Sequence, residues 1–342
     1  MSYLDPRAGQ TSGDGTNVPA PYVHGYGQEP ATWHADERPR HLGETQPPPP
    51  SPPPAPRGPG RRRAAGKPKR SAGRNLPAAI AVGLALVLLV LGSLVIWPPA
   101  FLGVIALASA VGVWEMARAL GATGARPPLI PLIAGALLMT GLAWHDGPDS
   151  LLLGLAATVL AAVIWRIADG AAAFRRDLVA SLLIAVYVPF LLSFAVLMQL
   201  PDPDEKGKWR VLCTLLAVVL SDTGGYAVGV FLGRHKMAPS ISPGKTWEGF
   251  GGSIFAAAIG SALLLYFLLD IPAYWGLLFG AVISVVAVLG DLAESMLKRD
   301  LRVKDMSNLL PGHGGVMDRL DSIVFAVPTA YLLFAVIAAN SR

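Results

Sequence analysis

Charge is what this sequence has little of. Only 15% of its 342 residues are Asp, Glu, Lys or Arg, where an ordinary soluble domain holds roughly 25%. With 53% hydrophobic residues and a mean hydropathy of +0.48, that deficit is hard to reconcile with a soluble protein of this size. Cysteine is nearly absent. Cys213 stands alone, inside an apolar run, so an intrachain disulfide framework is excluded. No second histidine lies at metal-ligand spacing from His313, which argues against zinc. An early apolar segment is missing as well. Seventy-five residues rich in Pro, Gly and charge precede the first one, so a secretory signal peptide is not expected.

What charge there is lies unevenly. Residues 1–75 hold 11 Lys/Arg against 6 Asp/Glu, whereas the remainder holds 17 of each. The pI of about 9.4 therefore belongs to the tail, and no nucleic-acid partner is expected. The tail also holds 15 of the 30 prolines, with polyproline II expected through Pro47–Pro54. It has too few apolar residues to offset the entropy of ordering. Two regions are thus expected: a disordered, basic cytoplasmic tail at 1–75 and a membrane domain at 76–342.

A bilayer core needs about 20 apolar residues of helix. Nine such runs are visible, near 76–97, 101–118, 128–145, 151–168, 178–199, 211–232, 251–269, 273–290 and 323–340. The expected fold class is an all-α polytopic membrane protein with about nine transmembrane helices and a disordered N-terminal tail. The cluster from Arg57 to Arg74 directly precedes the first run, and Lys/Arg-rich flanks stay cytoplasmic. With the N-terminus inside, the loops bearing Arg126, Arg175, Arg176, Arg234, Lys236, Lys245, Lys298, Arg299, Arg302, Lys304 and Arg319 fall on the cytoplasmic side. The C-terminus falls outside. No internal repeat is evident, which weakens an inverted-repeat transporter.

Two cytoplasmic loops concentrate polar residues. Gly233–Gly249 contains Gly244-Lys245-Thr246, yet Pro239 stands where a P-loop requires glycine. A P-loop NTPase is rejected. A Gly/Ser/Pro-rich loop with Lys236 and Lys245 still suits a polyanion, although topology alone also asks for basic loops. The second loop, Asp291 to Asp321, offers more. Asp291, Glu294, Ser295 and Lys298 share one face of a helix continuing from the eighth span. Pro311-Gly312-His313-Gly314-Gly315 breaks that helix, and Asp318, Arg319 and Asp321 open the last one. Carboxylates at both ends with cations between suit a divalent metal plus phosphate. Asp222, near the middle of the sixth span, is a functional candidate because a carboxylate there is expensive. Glu115 sits near a helix end, where charge is ordinary.

The string from Ser295 through Lys298-Arg299, Lys304-Asp305, Leu310-Pro311-Gly-His313-Gly314-Gly315 and Asp318-Arg319-Leu-Asp321 resembles the signature of phosphatidate cytidylyltransferases, the CDP-diacylglycerol synthases. No departure occurs across its 27 positions. Ser221–Tyr226, His235–Pro239 and Ser242–Gly249 are similar to further stretches of the same family. The resemblance covers roughly 76–342. It implies transfer of a cytidylyl group from CTP to phosphatidate, with Mg²⁺ as cofactor, giving CDP-diacylglycerol and diphosphate for phospholipid biosynthesis. It implies a homodimer in the cell inner or plasma membrane, in contact with membrane lipid, with the active site cytoplasmic. By position, Asp291 and Asp318 are the expected metal ligands. Asp321 and Asp222 are expected in the catalytic group, and Lys298, Arg299, His313, Arg319, Lys236, Lys245 and Ser242 in substrate binding. A pocket among the sixth, eighth and ninth helices, open sideways to lipid, would admit both substrates. A CDP-alcohol phosphatidyltransferase would need a different Asp-Gly…Asp pattern, and a proline-reading scaffold would leave the 27 positions unexplained.

Overall fold

The computed structural model describes residues 76–168, 173–200 and 206–340. The expected tail at 1–75 lies outside the described residues, as do 201–205 in the loop after the fifth span.

Among the described residues nine helices follow in chain order: α1 (Leu76–Ile96), α2 (Pro98–Gly121), α3 (Leu129–Asp146), α4 (Pro148–Ala168), α5 (Phe174–Met198), α6 (Gly207–Leu232), α7 (Trp247–Leu269), α8 (Ala273–Asp300) and α9 (Met317–Asn340). Each coincides with one of the nine apolar runs. Eight, α2 to α9, are long and apolar enough to cross a bilayer, and the apolar stretch Ile80–Ile96 of α1 is shorter. A helix is what such a run must form in lipid, because every backbone N–H and C=O has to be satisfied within the segment. Large apolar side chains such as Leu84, Leu88, Phe231, Phe255 and Phe267 point outward, as befits an integral membrane protein whose solvent is hydrocarbon.

The helix bounds differ from the runs where the site is built. α8 continues about ten residues past its apolar run, to Asp300, as the spacing from Asp291 to Lys298 predicts. α9 starts six residues earlier than its apolar run, at Met317, so Asp318 and Asp321 lie in its first two turns. α5 contains a π-turn at Val186–Phe190 with Pro189 inside it. A proline there removes one helical donor, and a widened turn is one way to absorb the loss.

The all-α expectation needs one amendment. The loop between α6 and α7 forms an antiparallel hairpin, β1 (Lys236–Ala238) and β2 (Ser242–Thr246), pairing Lys236 with Thr246 and Ala238 with Ser242. Pro239 and Ser240 form its turn region, and Thr246 then caps α7 by accepting from Gly249 N–H at 3.1 Å.

The packing that positions the site is between α6, α7, α8 and α9. Backbones approach closely where residues are small, the usual device in membranes. At Gly280 of α8 a Cβ would lie 2.1 Å from the Ala257 carbonyl oxygen of α7, so no larger residue fits. One apolar core gathers Leu265, Phe279, Ile283 and Phe334, and a second gathers Met116, Ile184, Leu192 and Met317.

Candidate active site

Asp222, on α6, lies one residue beyond Ser221, whose hydroxyl is 2.8 Å from that of Ser284 on α8. This buried pair ties the two helices together. Asp222 faces a cavity of about 510 Å³, whose walls also include Ser242, Gly244 and Lys245 of the hairpin, Ser253 of α7 and Asp291 of α8. α7 and the hairpin thus form walls that the expected three-helix pocket assigned to α9.

Lys245 reaches across this space. Its Nζ is 2.7 Å from Asp291 Oδ2 and 3.4 Å from the Val288 carbonyl. Ser295, one turn beyond Asp291, donates to Oδ1 at 3.2 Å. The polar face expected from Asp291 to Lys298 is therefore present, and its first residue is held by one ammonium and one hydroxyl.

Asp321 joins this group from α9. At Gly290 a Cβ would lie 2.6 Å from the Asp321 carbonyl oxygen. Only glycine lets α8 and α9 touch there, and the contact places Asp291 beside Asp321. The charges of Asp222, Asp291 and Asp321 act on one another. Asp321 Oδ1 accepts from Ser322 N–H at 2.6 Å.

Asp318 is held differently. Its Oδ1 accepts from Lys298 at 3.0 Å, and its Oδ2 accepts from Met306 N–H at 2.9 Å and Gly315 N–H at 2.8 Å. It is only 7% exposed. Lys298 in turn contacts Glu294, four residues back, at 2.5 Å. Glu294 is fully buried. Lys298 therefore bridges two carboxylates, and Asp318 ties the glycine-rich loop to the start of α9.

Five carboxylates, Asp222, Asp291, Glu294, Asp318 and Asp321, face two ammonium groups, Lys245 and Lys298. Such an acidic excess calls for further cations. Among the described residues no three His, Cys, Asp or Glu form a ready cage. Mg²⁺ does not need one, since it takes one or two carboxylates and completes its shell with water and phosphate. The all-oxygen donor set around Asp291 fits that ion, and the absence of histidine or thiolate donors does not fit zinc.

The remaining expected residues are placed as follows. Arg299 Nε donates to the Ile241 carbonyl at 3.2 Å, bracing the hairpin against α8. Arg319 Nε donates to the His313 carbonyl at 3.1 Å. The His313 ring lies toward α1, with Nε2 3.4 Å from where a Cβ on Gly83 would be. Lys236 is exposed on β1 and does not line the cavity.

Glu115 of α2, expected to be an ordinary charge near a helix end, is instead fully buried at the centre of the loop's anchorage. Its carboxylate accepts from Ser307 Oγ at 2.5 Å, Val316 N–H at 2.9 Å and Met317 N–H at 2.8 Å. Helix starts leave backbone donors unsatisfied, and Glu115 satisfies two of them from another helix while its charge suits the positive end of α9. A Cβ on Gly315 would sit 2.7 Å from Glu115 Oε1, so the loop needs glycine to admit the clamp. An ionisable residue inside an apolar run was the available signal.

Comparison with known proteins places these residues in a wider context. The family model described as the cytidylyltransferase family matches residues 77–337. The chain is 38% identical to a Mycobacterium bovis phosphatidate cytidylyltransferase over 279 residues, covering 78% of this chain and 90% of that protein. It is 39% identical to the Mycobacterium leprae protein of that name over 282 residues, covering 78% and 89%. A Bacillus subtilis phosphatidate cytidylyltransferase is 40% identical over 154 residues, which is 45% of this chain and 56% of that protein.

Proposed function

The chain belongs to the cytidylyltransferase family, and from that premise we propose that it joins CTP and phosphatidate into CDP-diacylglycerol with release of diphosphate, in phospholipid biosynthesis. The chain is a nucleotidyltransferase and an integral membrane protein. The observation that carries the substrate reading is one cavity holding the carboxylates of Asp222 and Asp291 and the ammonium of Lys245, set among helices whose outer faces are apolar. A polyphosphate needs the first feature, and a diacyl lipid needs the second.

In this reading the hairpin handles the nucleotide. Lys245 and Ser242 meet the triphosphate, with the backbone at Gly244 free to approach it. Lys298, Arg299 and Arg319 meet the lipid phosphate. A phosphate monoester is already largely ionised at pH 7, with a second pKa near 6, so attack on the α-phosphorus needs no strong general base. His313 is assigned to substrate binding on that account. The remaining work is alignment and charge neutralisation in line with the departing diphosphate. Asp291 and Asp318 would hold Mg²⁺, which would supply Lewis-acid stabilisation of the triphosphate. Lys298 makes this possible by exchange: when its ammonium swings from Asp318 to a substrate phosphate, Oδ1 of Asp318 is freed. Asp222 and Asp321 complete the acidic wall.

The distribution of Lys and Arg favours a cytoplasmic N-terminus and active site, with the C-terminus outside. The protein is read as a homodimer in the cell inner or plasma membrane.

The test follows label from CTP marked at the α-phosphate into the lipid phase, with and without Mg²⁺. Metal-dependent labelling by the wild type and its loss in Asp318→Asn supports the reading. A folded wild-type protein that leaves phosphatidate unlabelled under varied lipid and metal overturns it.

A further inference from the structure

Tyr187 belongs to no motif discussed so far. It sits at the second position of the π-turn in α5 and is 8% exposed. π-turns often mark functional positions, because the extra residue re-aims the side chains of one turn. Its phenolic oxygen is buried and has no hydrogen-bond partner among the described residues. A buried hydroxyl left unpaired carries a real penalty, so its persistence asks for a reason.

The ring's position supplies one. It packs edge-on against Phe325 of α9, with centroids 5.8 Å apart and planes at 62°. Phe325 follows Asp321 by one helical turn on the same face. Phe325 also lies against Gly290, where α8 and α9 touch beside Asp291. The charged groups acting on the Tyr187 hydroxyl are Glu294, Asp321 and Asp291, all carboxylates. Toward an ionised carboxylate a phenol serves as donor. Asp321 meanwhile takes its one hydrogen bond among the described residues from its neighbour's backbone, and Glu294 is held only by the Lys298 contact.

We infer that Tyr187 is a positioning residue of the acidic cluster: its hydroxyl donates, through a bound water, to Glu294 and Asp321 and keeps Asp321 turned toward Asp291. Buried polar sites of this kind commonly hold such a water when two or more partners converge. The role rests on the functional reading above only in naming what the cluster is for.

The test compares Tyr187→Phe with the wild type in the full chain, purified with phospholipid. Phenylalanine keeps the contact with Phe325 and removes only the hydroxyl. Three quantities are read: thermal midpoint, Mn²⁺ binding by the loss of free-ion paramagnetic signal, and kcat and KM for CTP-dependent lipid labelling. A positioning role predicts an unchanged or higher midpoint, Mn²⁺ affinity weaker by several-fold, and kcat lower by roughly tenfold with KM for phosphatidate nearly constant, the size expected for one hydrogen bond to a charged group. In an Asp321→Asn background, Tyr187→Phe should then add little. Unchanged Mn²⁺ affinity and kcat in Tyr187→Phe overturn the inference, as do losses that add fully in the double variant. Were the wild type to bind Mn²⁺ without labelling lipid, the cytidylyl-transfer reading would fail, and the Mn²⁺ comparison would still decide Tyr187.

Discussion

The two carboxylates expected to share a metal are held in opposite ways. Asp291 faces the cavity and, among the described residues, is engaged by the Lys245 and Ser295 side chains alone. Asp318 is buried and engaged by two backbone N–H groups besides Lys298. Side-chain partners can exchange for a ligand at small cost, because each ammonium or hydroxyl finds phosphate or water instead. Backbone partners cannot, since freeing them undoes the loop from Met306 to Met317. The α6–α8 side of the site is therefore built to exchange ions, and the α2–α9 side is built to hold still. Glu115 belongs to the second kind, with its two backbone donors.

The sharpest way to break that contrast is at Asp291. Asp291→Asn keeps the shape and removes the charge facing Lys245. Lipid labelling should fall by about a thousandfold or more, the scale of losing a group that organises transition-state charge, while the thermal midpoint stays within a few degrees. A folded variant with near-normal turnover would detach Asp291 from the chemistry. Glu115→Ala should behave in the reverse sense. It strands two N–H groups at the α9 start, one buried and one half-buried, costing about 2–4 kcal/mol, and the thermal midpoint should drop markedly before activity is measured. Glu115→Gln restores one acceptor and should recover part of the midpoint. A stable, fully active Glu115→Ala would show that the loop needs no clamp.

The sequence revealed the scaffold better than the junctions. All nine helices were legible because a bilayer imposes one rule, an apolar run of fixed length, and Leu, Val, Ile and Ala satisfy it visibly. The face from Asp291 to Lys298 was legible from helical spacing alone. The hairpin at Lys236–Thr246 was not, because Pro239, Ser240 and Pro243 read as irregular loop, and its contacts with α8 come from Arg299 and Asp291, some fifty residues on. Glu115 was misjudged for a geometric reason. It stands six residues before the end of α2, too deep for solvent, and its partners at Ser307, Val316 and Met317 are some two hundred residues away in sequence. No local pattern announces a partner at that distance. Tyr187 was hidden likewise, since a π-turn has no strong residue signature beyond Pro189.

The hairpin offers two smaller tests of the exchanging side. Lys245→Ala removes a charge that Asp291 holds and, in the proposed reading, a contact to the triphosphate. The apparent affinity for CTP should weaken by about tenfold to a hundredfold, the range for a charge-assisted hydrogen bond, with folding unchanged. An unaltered CTP affinity would reject a direct nucleotide contact. Arg299→Ala is gentler. It loses the exposed bond to the Ile241 carbonyl, worth about 0.5–1.5 kcal/mol, and, in the proposed reading, one of three cations at the lipid phosphate. KM for CTP and KM for phosphatidate should each rise a few-fold and kcat hold nearly constant, because Lys298 and Arg319 remain. An unchanged KM for phosphatidate would remove Arg299 from the lipid phosphate and leave it a brace of the hairpin alone.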